Sequence, residues 1–129
     1  MKLTNEQMLN SLVILSQVEE KGMLGYAIAR NRQKLMVEVH DYSKKRDELL
    51  SEFGSDIGEG RFQLAPENAA KFYEALQPYS ELTVDVPVMQ VTEEVFCSGN
   101  LTSSQMSGLF WMVEEEKLGK DGNLNGLTT

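Results

Sequence analysis

Apolar positions recur at three- and four-residue steps over most of this chain and alternate over one short stretch. Met8, Leu12, Leu15 and Val18 mark the first helical stripe, because residues three or four apart share one face of a helix. Thr4-Asn5-Glu6-Gln7 fits a capping box ahead of that stripe. The Thr4 hydroxyl can accept from an early helix amide while the Gln7 side chain reaches back. Lys21-Gly22 predicts the end of the helix, with a cation near the negative pole and a glycine able to turn left-handed.

The second stripe is longer. From Leu24 to Phe53 there is no proline, and no glycine after Gly25. Leu35, Val39, Tyr42, Leu49 and Phe53 form one seam, Arg46 fills its gap, Ile28 extends it upstream, and Met36 and Leu50 widen it. A narrow seam with charged flanks suits packing against another helix, in the same chain or in a second copy. A helix of that span is about 45 Å long, whereas a compact chain of this size is only about 36 Å across. The first helix can cover about half of the second. The uncovered half predicts a homodimer or higher oligomer, with Leu35, Val39, Tyr42, Leu49 and Phe53 at its interface.

The rest of the pattern is shorter in period. Gly54 to Gly60 reads as a turn-rich loop, and Arg61 to Leu64 as a short strand. Pro66 suits the first position of a third helix with Ala69, Phe72, Tyr73 and Leu76 inward, and Pro78 is expected to stop it. Leu82, Val84, Val86 and Val88 alternate with polar residues and Pro87, which predicts an edge or bulged strand over 82–91. Thr92-Glu93-Glu94 opens a short helix through Phe96, which Gly99 breaks. Thr102-Ser103-Ser104-Gln105 is a second capping box, opening a helix over 103–117 with Met106, Leu109, Phe110 and Val113 inward. The fold class that follows is α+β, mainly helical: a long antiparallel helix pair, shorter helices, and a small two-stranded β element from 61–64 and 82–91. Residues 1–117 form one domain, and 118–129 read as a loose C-terminal tail.

Composition narrows the function classes. The chain has 129 residues, 41 % of them hydrophobic and 25 % charged, as in soluble globular domains. The longest aliphatic run, Leu12 to Leu15, is far too short to span a membrane, and no secretory leader precedes it. Cys97 is the only cysteine, which suits a reducing compartment. Net charge is −8 and uneven: residues 1–53 carry eight Lys/Arg and eight Asp/Glu, residues 54–129 four and twelve. Such a surface disfavours nucleic acid and anionic membrane as direct partners and accommodates a basic protein.

Candidate chemistry is sparse. His40 is the only histidine, and adjacent Asp41 points about 100° away on a helix, so they form no catalytic pair. One histidine and one cysteine supply no zinc set. Asp121-Gly122-Asn123-Leu124-Asn125-Gly126 matches the opening of a calcium loop but lacks the glutamate at loop position 12. There is no phosphate-binding glycine loop. No catalytic, cofactor or metal residue is assigned, and the chain is read as not an enzyme.

What stands out is acidic. Glu114-Glu115-Glu116 falls at the C-terminal end of a predicted helix, against its dipole, and residues placed against a local rule are candidates for function. Glu93, Glu94 and Asp85 could join them in one acidic face. Trp111, between Phe110 and Met112, is either a binding anchor or a side chain packed on the second helix. Glu93, Glu94, Trp111, Glu114, Glu115 and Glu116 are therefore the candidate partner-binding residues.

The order of segments is similar to a known type. Met1-Lys2-Leu3-Thr4-Asn5, a charged helix ending Arg46-Asp47-Glu48-Leu49-Leu50, Phe62-Gln63-Leu64 before Pro66-Glu67-Asn68, Leu82-Thr83-Val84, and Leu101-Thr102-Ser103-Ser104-Gln105 follow in turn. Over most of residues 1–117 this resembles small uncharacterised phage and prophage proteins of Gram-positive bacteria. The resemblance implies a phage accessory role in the bacterial cytoplasm and carries over no catalytic residue. The expected function is a non-enzymatic interaction protein with a host or phage protein partner. It is either an acidic inhibitor of a nucleic-acid-binding defence protein, or an assembly or morphogenesis factor acting as a homo-oligomer.

Overall fold

The computed structural model describes residues 1–115. Its order is β1 (Lys2–Thr4), α1 (Asn5–Gln17), α2 (Gly22–Glu38), α3 (His40–Phe53), β2 (Ser55–Gly58), β3 (Arg61–Gln63), α4 (Pro66–Ser80), β4 (Thr83–Asp85), α5 (Glu93–Phe96) and α6 (Ser103–Leu109), then a 3-10 turn at Phe110–Met112. The class is α+β and mainly helical, as expected. No described helix is long and apolar enough to cross a membrane.

Local signals decide most boundaries. Thr4 caps α1 with the full box: Gln7 N–H donates to Thr4 Oγ1 at 3.0 Å, and Thr4 N–H donates to Gln7 Oε1 at 2.8 Å. Thr102 and Gln105 repeat this on α6, and the Thr92 hydroxyl caps α5. Pro66 opens α4. Pro78, expected to stop that helix, sits inside its last turn, where a missing N–H forfeits a single bond before the helix ends. Gly22 does turn left-handed, at φ +64°, but it begins α2, because α1 has already ended at Gln17.

The long helix is two helices. Val39, at φ −91° and ψ −3°, separates α2 from α3, while its N–H still donates to Leu35 O and its carbonyl still accepts from Ser43 N–H, both at 2.9 Å. The halves pack on different partners: α2 lies against α1, and α3 against α4. The cover that α1 cannot supply therefore comes from the same chain. Leu35, Val39, Tyr42 and Leu49 are buried within the single chain, and Phe53 is half-buried against the same core. Their expected place at an oligomer interface is corrected on that ground, since side chains already covered internally offer no surface to a second copy. Arg46, in the gap of the seam, holds its guanidinium carbon 5.9 Å from the Phe72 ring of α4.

The β pairing differs from the expected 61–64 with 82–91. β3 pairs antiparallel with β2, making a hairpin from the stretch read as a loop, with Gly58, Glu59 and Gly60 all at positive φ. β4 pairs antiparallel with β1, Leu3 opposite Val84. Each is a separate two-stranded sheet. Strand pairing is nonlocal, so alternation marks a strand without naming its neighbour.

Two polar side chains fasten the helices. Asn31 is fully buried on α2. Its Nδ2 donates to the Met89 carbonyl at 2.9 Å, and Met89 N–H donates back to Oδ1 at 2.7 Å. Arg32 donates from Nε and Nη2 to the Leu15 carbonyl, at 3.1 and 2.7 Å, and from Nη2 to Val18 O at 3.4 Å. A guanidinium there satisfies carbonyls that α1 leaves open and sits at its negative pole.

Candidate functional site

The acidic residues singled out from sequence lie on segments that one isolated bridge brings together. Val91 N–H donates to Met112 O at 2.7 Å, and Glu114 N–H donates to Val91 O at 2.8 Å, a parallel pairing of Val91 with Val113. The chain leaves this bridge in one direction through Thr92, Glu93 and Glu94, and in the same direction through Glu114 and Glu115. All four glutamates are exposed. Gln90 steadies the junction, its Nε2 donating to Trp111 O at 2.9 Å. The bridge also explains why the helix expected over 103–117 is short. The backbone of Val113 and Glu114 is engaged with Val91, so the helical path ends at Met112. Glu114 and Glu115 consequently lie in non-helical backbone beyond the last turn and not inside a helix C-terminus, where the sequence pattern places them. Glu93 and Glu94 do sit at a helix start, in the first turn of α5. Glu116 and the half calcium loop at 121–126 lie outside the described residues, as does the tail 118–129.

Asp85 does not join this edge. Its carboxylate accepts from the Met1 amine at 2.8 Å. That hydrogen bond, then the positive charge of the amine, hold its pKa below the usual carboxylate value.

The aromatic pair exchanges roles. Phe110, expected inward, is 60 % exposed. Its ring centroid lies 6.0 Å from that of Phe96 on α5, the helix whose first turn carries Glu93 and Glu94. Trp111 is half-buried, and its Nε1 donates to Ser11 Oγ on α1 at 3.0 Å. Trp111 therefore braces the turn on α1 rather than packing on the second helix. A cleft of about 260 Å³ runs between α1 and this turn, walled by Phe110 and Trp111. The sequence signal for Phe110 was present in the run Leu109 to Met112, which is more apolar than one face can bury. Which member turned outward was set by partners distant in sequence, Ser11 of α1 for Trp111 and Phe96 of α5 for Phe110.

Among the described residues no group of three or more His, Cys, Asp or Glu is placed to hold a metal ion. Cys97 is exposed and His40 lies at the start of α3, on the outer surface. The arrangement offers charge and one aromatic face for docking. No family model matches the chain, and no curated protein and no solved structure matches it either.

Proposed function

We propose that this chain is a non-enzymatic interaction protein that holds a basic protein partner against its acidic edge. The observation that supports the reading is the Val91–Val113 bridge, which joins the segment leading into Glu93 and Glu94 to the segment leading into Glu114 and Glu115, all four exposed. Phe110, exposed over Phe96, supplies the apolar anchor that such a surface needs. In its sharper form, drawn from the resemblance to small phage proteins, the partner is a host defence protein. The carboxylates would then occupy the basic channel in which that protein binds nucleic acid. An assembly role built on the helix seam loses its support, because Leu35, Val39, Tyr42 and Leu49 are consumed by the core.

The test is affinity capture from host-cell lysate at low and high salt, with the wild type and with Glu93, Glu94, Glu114 and Glu115 all changed to Gln. A nucleic-acid-binding protein recovered only at low salt, and only by the wild type, supports the reading. Equal recovery by both forms removes it.

A further inference from the structure

A second surface lies on the outer face of α2, away from the seam that the core consumes. Met23, Tyr26, Met36 and Val37 are each between 50 % and 66 % exposed. Met23, Tyr26 and Val37 fall, with Arg30 and Gln33, on a row of alternating three- and four-residue steps within α2, 23, 26, 30, 33 and 37, and Met36 lies beside it. That is the spacing of a coiled-coil seam, and it faces solvent. A helix face destined for water carries charged residues of both signs. This one carries Arg30, and α2 holds Arg30, Arg32 and Lys34, with Lys21 just before it, against a single carboxylate, Glu38 at its last position. Arg32 is turned onto α1, which leaves Lys21, Arg30 and Lys34. Among the described residues no carboxylate forms a salt bridge with any of the three. Arg30 is held on the row by its neighbour: Nη1 donates to Tyr26 Oη at 3.1 Å, and the guanidinium carbon is 5.7 Å from that ring. At the far end, Gln33, Met36, Val37 and His40 line a depression of about 340 Å³.

We infer that this face docks an amphipathic helix of another protein, with an apolar seam and acidic flanks. The heptad-like row asks for a helix as its occupant, because only a helix presents side chains at matching steps. The uncompensated Arg30 and Lys34 ask for carboxylates beside that seam. A two-fold pairing of α2 with α2 of a second copy would instead set cations against cations. An anionic bilayer would meet a chain of net charge −8, with Arg30 and Gln33 submerged at the middle of the row.

The probe is a labelled three-heptad peptide with leucine at the seam and glutamate at the flanks. Its control has lysine at the flanks. Binding to the full chain is read by fluorescence anisotropy, beside Val37→Glu and Val37→Leu, with circular dichroism confirming that both variants fold. The expected result is binding of the acidic peptide at least about tenfold tighter than of the basic one, weakened about tenfold or more by Val37→Glu and retained by Val37→Leu. Equal affinity for the two peptides, or no effect of Val37→Glu, overturns the inference. So does a dimer in size-exclusion chromatography that Val37→Glu dissociates, which assigns the face to a second copy. Co-sedimentation with phosphatidylglycerol-containing vesicles that Val37→Glu abolishes, without peptide binding, assigns it to a membrane.

Discussion

Asn31 and Met89 exchange two hydrogen bonds, side-chain amide to backbone carbonyl and backbone amide to side-chain oxygen, at 2.9 and 2.7 Å. Asn31 thus pairs with the extended segment after β4 much as a strand neighbour would. That segment leads directly into Val91 and the acidic edge, so a residue on α2 sets the position of the candidate site.

Replacing Asn31 with leucine keeps the volume and strips Met89 of both partners. Two backbone groups left unpaired in a buried setting cost about 2–4 kcal/mol together. Urea unfolding should show the unfolding free energy lowered by that amount, through a lower midpoint at unchanged slope. Gln33→Leu, an exposed neighbour on the same helix, should change stability by less than about 0.5 kcal/mol. Similar midpoints for the two variants would remove Asn31 from this role.

Gly25 is a glycine in the first turns of a helix, where alanine ordinarily gains about 1 kcal/mol. Here a Cβ would overlap the backbone carbonyl of Glu20, which folds back over the turn. Backbone cannot swing aside as a flexible side chain can, and overpacking typically costs about 1–3 kcal/mol. Gly25→Ala should therefore lower stability, opposite in sign to the propensity scale. A thermal midpoint at or above wild type contradicts the close approach.

Arg32 satisfies α1 carbonyls with two nitrogens, a geometry that a lysine ammonium cannot reproduce. Arg32 is partly solvated, so the loss on Arg32→Met is set at about 1–2 kcal/mol. Arg32→Lys should recover less than half of it. Full recovery by lysine would show that charge at the helix end, not the fork of donors, is what matters.

Tyr42 has its pKa raised above the ordinary tyrosine value, first by burial and then by the charge of Glu6, with Arg46 opposing. The folded state thus favours the neutral phenol more than the unfolded chain does. That contribution is fully present below about pH 10, the unfolded value, and is lost as pH rises through the folded one. An absorbance titration of phenolate should show a late step, above the ordinary tyrosine value, that belongs to Tyr42. In Tyr42→Phe the late step should vanish.

Phe110 and Trp111 should separate binding from folding. Phe110→Ala removes an exposed ring and should leave stability within about 0.5 kcal/mol while weakening capture of the basic partner. Trp111→Phe removes the donor to Ser11 and should lower stability by about 1 kcal/mol, with little effect on capture. The reverse pattern would return the anchor to Trp111.

What could be read from sequence was local. The boxes at Thr4–Gln7 and Thr102–Gln105, the cap at Thr92 and the start at Pro66 each involve residues three positions apart or fewer, and each appears in the structure. What escaped was nonlocal. Nothing near Val39 announces a break; it arises because α1 and α4 claim the two halves of the seam separately. Asn31 stood on the row Ile28–Asn31–Leu35, but an amide at a core position is legible only once its backbone partner is known. Glu93, Glu94, Glu114 and Glu115 were singled out from sequence and are exposed, yet the bridge that joins their segments is a pairing of Val91 with Val113 that no short-range rule contains.

The pairing of β1 with β4 also governs the order of events while the chain is being made. Lys2 to Thr4 wait for Thr83 to Asp85, and Ser11 waits for Trp111, one hundred positions later. At roughly 5–20 residues per second on the ribosome, α1 and α2 exist for seconds before either closure is possible. Through the first part of that interval, before α4 is made, the underside of α1, with Met8 and Leu15, has only α2 to shelter it. The nascent hairpin is therefore the stage at which this protein is most open to chaperones and proteases.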